Sequence, residues 1–200
     1  MQTHFYLIRH GETNWNREGK IQGHTDIPLN EEGISQAERV AYRLSNIPID
    51  AICTSDLSRA VQTAKEINKF HPHATFLIYP ELRERNYGQW EGMSFGEVAK
   101  RGAEKNHQKV QLTGIETLEQ MQRRGIACLE QLTSIYPKHH IVVVSHGGFI
   151  NAMLHYFSQG EHGPGKTKLE NTSLNYVSYK QDQWVIHTIN DTSHLGNESD

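Results

Sequence analysis

An arginine and a histidine stand side by side, Arg9-His10, where an apolar run gives way to Gly11-Glu12-Thr13. A neutral imidazole can attack phosphorus and carry the phosphoryl group as phosphohistidine, and a guanidinium offers paired, planar donors to phosphate oxygens. Phosphoryl transfer spreads negative charge over the equatorial oxygens, so the chemistry asks for preset positive donors and a nucleophile in line with the leaving oxygen. Arg9, Arg59 and His146 can supply the donors, and Arg59 gains from its place in the first turn of a helix. Glu84 can give the leaving alkoxide its proton. Its neighbours Arg83 and Arg85 project to the opposite side if the segment is extended.

These residues meet only if the chain brings them to one edge. Phe5 to Ile8 is continuously apolar, as in a strand covered on both faces, and Gly11 is read as the residue that lets the chain turn there. Ile34, Ala37, Val40, Ala41 and Leu44 fall at helical spacing behind an Asn30 cap. Asp50 to Thr54 reads as a strand, with Ser55 or Asp56 capping a helix faced by Leu57, Ala60, Val61, Ala64 and Ile67. Thr75 to Tyr79 is a further strand, stopped by Pro80. Ser94 to Arg101 is a short helix within a lid region at about 93–115, and Leu118 to Ile135 is a long amphipathic helix closed by Pro137. Ile141 to Ser145 is the clearest buried strand, followed by His146-Gly147-Gly148 and an apolar helix from Phe149 to Phe157. Strands at about 173–180 and 184–189 precede a polar tail, 190–200, expected to be partly disordered.

This alternation predicts a three-layer α/β/α sandwich, with a mostly parallel central sheet, helices on both faces and a small lid insertion. Ligands of such sheets bind at the carboxyl ends of the strands. Arg9-His10, Arg59, Glu84 and His146 each follow a different strand. The 200 residues suit a single domain, 1–200. With 36% hydrophobic and 22% charged residues, the chain is too apolar for disorder and too polar for a membrane protein. Met1-Gln2-Thr3-His4 leads into a strand instead of a signal peptide, so a cytoplasmic location is expected. A net charge of −3 gives no reason to expect nucleic acid as a partner. Cys53 and Cys128 form neither a disulfide framework nor a thiolate zinc site, and the 13 histidines show no metal-ligand spacing. The expected partner is a small phosphorylated molecule, with no membrane and with room for a homodimer.

Five motifs, in order, resemble the histidine phosphatase superfamily, also called phosphoglycerate mutase-like, across most of residues 5–195. They are Leu7-Ile8-Arg9-His10-Gly11-Glu12-Thr13, with its continuation Asn14-Trp15-Asn16 and Ile21-Gln22-Gly23; Ser55-Asp56-Leu57-Ser58-Arg59; Glu81-Leu82-Arg83-Glu84; and Val144-Ser145-His146-Gly147-Gly148. Asn190 to Leu195 resembles the end of many bacterial members. The resemblance implies that His10 is the phosphorylated nucleophile, that Glu84 is the proton donor, and that Arg9, Asn16, Gln22, Arg59, His146 and Gly147 bind phosphate, without metal or cofactor. Asn86 to Gly92 resembles the bacterial broad-specificity phosphatase branch, so a metal-independent phosphatase of the histidine acid phosphatase type is expected. The alternatives are a cofactor-dependent phosphoglycerate mutase and a phospho-ligand binding module without turnover. In the lid, Lys100, Arg101, Lys105 and Lys109 offer charge to an anionic substrate, and Phe95, Val98 and Leu112 an apolar wall; solvation and lid packing are the ordinary roles of such residues.

Overall fold

In the computed structural model, which describes residues 2–105 and 114–196, six strands form one sheet. They are β1 (Gln2–Arg9), β2 (Ala51–Thr54), β3 (Thr75–Ile78), β4 (His140–Ser145), β5 (Leu174–Lys180) and β6 (Gln183–Asp191), in the order β3-β2-β4-β1-β5-β6. The pairs β3–β2, β2–β4 and β4–β1 are parallel; β5 runs against both β1 and β6. The expected mostly parallel sheet therefore carries a reversed strand near one edge. The helices are α1 (Asn14–Arg17), α2 (Glu31–Leu44), α3 (Ser58–Asn68), α4 (Phe95–Lys105), α5 (Leu118–Ile135) and α6 (Gly147–Phe157).

Side-chain alternation divides the core in two. Phe5, Leu7, Ile141, Val143 and Val177 face α5 and α6, whereas Tyr6, Ile8, Val142, Val144 and Ile52 face α2 and α3. Ile141 to Val144 are fully buried, each side chain contributing about 1.5–3 kcal/mol by leaving water. Such a strand cannot slip by one residue without exchanging its two faces. The resulting register pairs Arg9 with Ser145, so that His10 and His146 leave adjacent strands at the same level. The carboxyl ends of β1, β2, β3 and β4 share one edge, which is where the candidate residues lie.

Local signals held where the partner was close in sequence. Asn30 accepts the Gly33 N–H at 2.8 Å and caps α2. At α3 they did not: Leu57 is the cap residue, without a side-chain bond, and Asp26 from a distant loop accepts the Ser58 N–H at 2.7 Å. Ser55 and Asp56 are committed elsewhere, to His146 and Arg83. Gly11 is also not a left-handed turn residue. A Cβ there would lie 2.3 Å from the Gly33 carbonyl oxygen, so glycine is required by the close approach of the β1 exit to α2.

Residues 190–195, expected to belong to a partly disordered polar tail, are built into the fold. β6 continues through Asn190 and Asp191, because Asn190 accepts the Glu170 N–H and donates its own N–H to Asn175. Residues 193–195 form a 3-10 turn tied to α2 by Arg39 Nη1 donating to the Leu195 carbonyl at 3.1 Å. Within residues 93–115, expected to form a lid, the helix starts at Phe95 and reaches Lys105. Lys109 and Leu112, together with tail residues 197–200, lie outside the described residues.

Candidate active site

The exit of β1 buries His10, which is 3% exposed. Its Nδ1 lies 2.7 Å from the Gly11 carbonyl oxygen, which can only accept, so Nδ1 carries the proton and Nε2 keeps its lone pair. Burial above all, then the Arg59 and Arg9 charges, holds the His10 pKa well below 6.5. The imidazole is therefore a neutral base with its free nitrogen at a cavity of about 420 Å³.

His146, at the same level of β4, stands behind the cavity wall with its ring centroid 5.1 Å from that of His10. Arg59 Nε donates to Nδ1 at 3.3 Å, which makes Nε2 the protonated nitrogen and Ser55 Oγ its acceptor at 2.8 Å. His146, which the resemblance implies binds phosphate, is not among the residues that line the cavity, and it holds Arg59 Nε from behind. Burial, then Arg59 and His10, holds its pKa well below 6.5 as well.

Two neutral buried imidazoles link stability to pH. Below pH 6.5 the unfolded chain binds protons at His10 and His146 that the folded chain refuses, so the stability present above pH 6.5 is lost as pH falls towards the depressed folded values. Each contributes a loss of about 1.4 kcal/mol per pH unit in that window. Burial depresses His4, His71 and His194 too, in the same direction. Urea unfolding at pH 7 and pH 5.5 should show this loss; equal stability at both would mean that the two imidazoles do not remain neutral in the folded state.

The cradle above His10 is built mostly from donors with unused hydrogens. Fully buried Arg59 gives Nη2 to the Gly23 carbonyl at 2.8 Å, Nη1 to that of Thr25 at 2.9 Å and Nε to His146, leaving two of its five N–H donors for the cavity. Burial lowers its pKa to about 10, with Glu84 pulling the other way. Arg9 Nη1 donates to the Leu169 carbonyl at 2.6 Å, while its buried Nε has no hydrogen-bond partner among the described residues. Asn16 and Gln22 also line the cavity; Asn16 Oδ1 accepts the Thr13 N–H and Gln22 Oε1 the Thr13 hydroxyl, which leaves their NH₂ groups as free donors among the described residues. Gly147 completes this wall at the start of α6.

Glu84 reaches the cavity from the irregular stretch after β3. Its carboxylate accepts the Gly148 N–H at 2.9 Å and the Arg85 N–H at 2.8 Å. Glycine at 148 permits this, since a Cβ would lie 2.4 Å from Glu84 Oε1. Arg83 and Arg85 turn away as expected: Arg83 pairs with Asp56, and Arg85 Nε donates to the Glu116 carbonyl at 2.6 Å. Tyr87, not anticipated, lines the cavity near Glu84, its pKa pushed up to about 12 by burial and then by Glu84. Phe95 of α4, 67% exposed, lines the mouth; exposed Lys100 and half-buried Val98 do not line the cavity.

Sequence reasoning missed several supports. Thr63 accepts the Gly11 N–H at 3.1 Å and donates to the Arg59 carbonyl at 2.9 Å, a link that its i+4 spacing from Arg59 could have signalled. Asn171 donates to the His10 carbonyl at 3.0 Å from a loop with no local pattern to betray it. Glu91 accepts the N–H groups of His24 and Thr25 and so holds the loop whose carbonyls grip Arg59. Among the described residues no three His, Cys, Asp or Glu side chains group to hold a metal ion, and no helix is long and apolar enough to cross a membrane.

Fold and site together define a three-layer α/β protein that sets one histidine between two arginines at the carboxyl ends of parallel strands. The chain belongs to the histidine phosphatase superfamily (branch 1), which it matches over residues 5–192. It is 36% identical over 189 residues to the uncharacterized phosphatase PhoE of Bacillus subtilis, covering 94% of this chain and 95% of that one. It is 34% identical over 204 residues to a probable phosphoglycerate mutase, GpmB, of Yersinia pestis, covering 95% and 94%. The solved structure of Bacillus stearothermophilus YhfR superposes with a TM-score of 0.86 at 26% identity, covering 97% of this chain and all of that one.

Proposed function

We propose that this protein is a metal-independent phosphomonoesterase working through a phosphohistidine on His10. The observation that carries the proposal is the His10 ring itself, neutral, fixed by the Gly11 carbonyl and presenting its free nitrogen between Arg9 and Arg59. Nε2 forms the N–P bond as the ester P–O bond breaks, and the leaving oxygen takes a proton from Glu84. The spare donors of Arg9, Arg59, Asn16 and Gln22 meet the equatorial oxygens as charge builds on them. In the second half, water attacks phosphorus, Glu84 takes the water proton, and the N–P bond breaks to give inorganic phosphate and the original imidazole. No step calls on a metal ion, because the charge neutralisation such an ion would provide comes from the two guanidinium groups.

The cavity favours hydrolysis over mutase chemistry. Phosphoglycerate carries a carboxylate that needs a cation beyond those that hold its phosphoryl group, and among the described residues lining the cavity only Lys20 remains, itself paired with Glu18 at 2.6 Å. A panel of phosphomonoesters that includes 3-phosphoglycerate, with and without bisphosphoglycerate and in the presence of chelator, tests the reading. Phosphate release from several esters, indifferent to chelator and bisphosphoglycerate, is expected. Bisphosphoglycerate-dependent isomerisation faster than release would overturn it, as would loss of activity in chelator.

A further inference from the structure

We propose that Arg124, locked in place by Glu116, is the positioning residue for the proton donor, and that this pair sets how well the enzyme handles esters with poor leaving groups. The inference rests on Glu84 acting as the donor. Residues 83–87, which carry Glu84, belong to no helix or strand, so their backbone groups need partners from elsewhere. Arg124 on α5 supplies them. Its Nη1 donates to the carbonyls of Glu81 at 2.6 Å and Arg83 at 2.8 Å, and Nη2 to that of Glu84 at 2.9 Å. Nε and Nη2 also hold the Glu116 carboxylate, at 2.6 and 2.9 Å. Every one of the five N–H donors of a guanidinium is thereby spent.

Glu116 closes the clamp from the other side. Its carboxylate accepts the Asn86 N–H, its own N–H donates to the Asn86 carbonyl at 2.9 Å, and its carbonyl takes Arg85 Nε. His24 Nε2, 2.8 Å from the Glu84 carbonyl, is a second donor to the same peptide group. The Arg124 guanidinium also lies 5.5 Å from the Phe149 ring, on the helix whose Gly148 N–H holds the Glu84 carboxylate. Arg124 does not line the cavity. It bears on Glu84 through the peptide carbonyl, and its ring contact places it beside the helix that holds the carboxylate. Proton transfer depends on heavy-atom separations of about 2.6–3.2 Å, so a small displacement of this segment weakens the acid without touching the phosphate cradle.

The test compares kcat for p-nitrophenyl phosphate, whose leaving oxygen needs little protonation, with kcat for an alkyl phosphate, in wild type, E84Q, R124M, R124K, E116Q and the double variant E84Q/R124M. E84Q is expected to raise the aryl-to-alkyl ratio by about 10²-fold or more. R124M should raise it about 10-fold while vanadate affinity stays within a factor of two, and R124K should behave alike because an ammonium cannot span the three carbonyls. The double variant should show the ratio of E84Q with no further rise, since the two residues act through one group. Should R124M fail to fold, as judged by circular dichroism, R124K and E116Q read the same ratio. A fall of equal size on both substrates in the Arg124 and Glu116 variants overturns the positioning role. An unchanged ratio in E84Q overturns the donor assignment instead.

Discussion

A His10→Ala variant is expected to bind phosphate and yet to release none from any monoester, with turnover down by at least about 10⁴-fold, the scale on which loss of a nucleophile acts. The reason lies in what remains. Arg9, Arg59, Asn16 and Gln22 keep their anchoring partners, none of which is the His10 side chain. The cradle therefore survives without the atom that forms the covalent bond. Rapid quenching of wild type with labelled substrate should trap an acid-labile, base-stable adduct on His10, and the variant should trap nothing. Removing a buried neutral imidazole also removes one of the groups that destabilise the fold below pH 6.5, so the acid sensitivity of the variant should be shallower. Full activity, or labelling at another residue, would reject His10 as the nucleophile.

What could be read from the residues in advance was whatever depends on short range or on strict periodicity. The β-branched run Ile141 to Val144 announced a strand buried on both faces, and the position of each candidate after a strand announced the shared edge. Asn30 capped α2 because its acceptor reaches only three residues ahead. Roles that depend on a distant partner are not legible in this way. Ser55 looked like a helix cap but answers to His146, 91 residues away, and Gly11 looked like a turn but makes room for Gly33. Asn190 read as part of a solvated tail, whereas it exchanges hydrogen bonds with Glu170 and Asn175. In each case a polar or small residue is ambiguous until its distant partner is known.

The same contrast separates the reacting groups from their supports. His10, Arg9, Arg59 and Glu84 carry distinctive chemistry and sit in short, recognisable phrases. Arg124 sits on the polar side of an ordinary amphipathic helix, and Glu91 in a glycine-bearing loop, where charged residues are usually solvated. Only the fold shows that the one spends its guanidinium on three carbonyls and the other its carboxylate on backbone N–H groups. The active site therefore extends well beyond the residues that line its cavity.

An Arg59→Ala variant should lose on three counts at once, and the counts are separable. First, kcat/KM should fall about 10³-fold, because two donors aimed at the developing charge disappear from the cavity. Second, the carbonyls of Gly23 and Thr25 lose their partners and a large buried side chain leaves a void, a combination expected to cost about 3 kcal/mol in urea unfolding. Third, Arg59 is the strongest charge holding down the pKa of both His10 and His146, after burial itself. Without it both values rise towards 6.5, and the acid limb of kcat/KM moves to higher pH, where wild type still has a neutral His10. An Arg59→Lys variant separates charge from fork: its ammonium keeps the acid limb near that of wild type, but it cannot reproduce the paired donors, so kcat/KM still falls. An Arg59→Ala acid limb identical to that of wild type would show that the guanidinium charge does not tune His10, and would confine the role of Arg59 to gripping the phosphoryl oxygens.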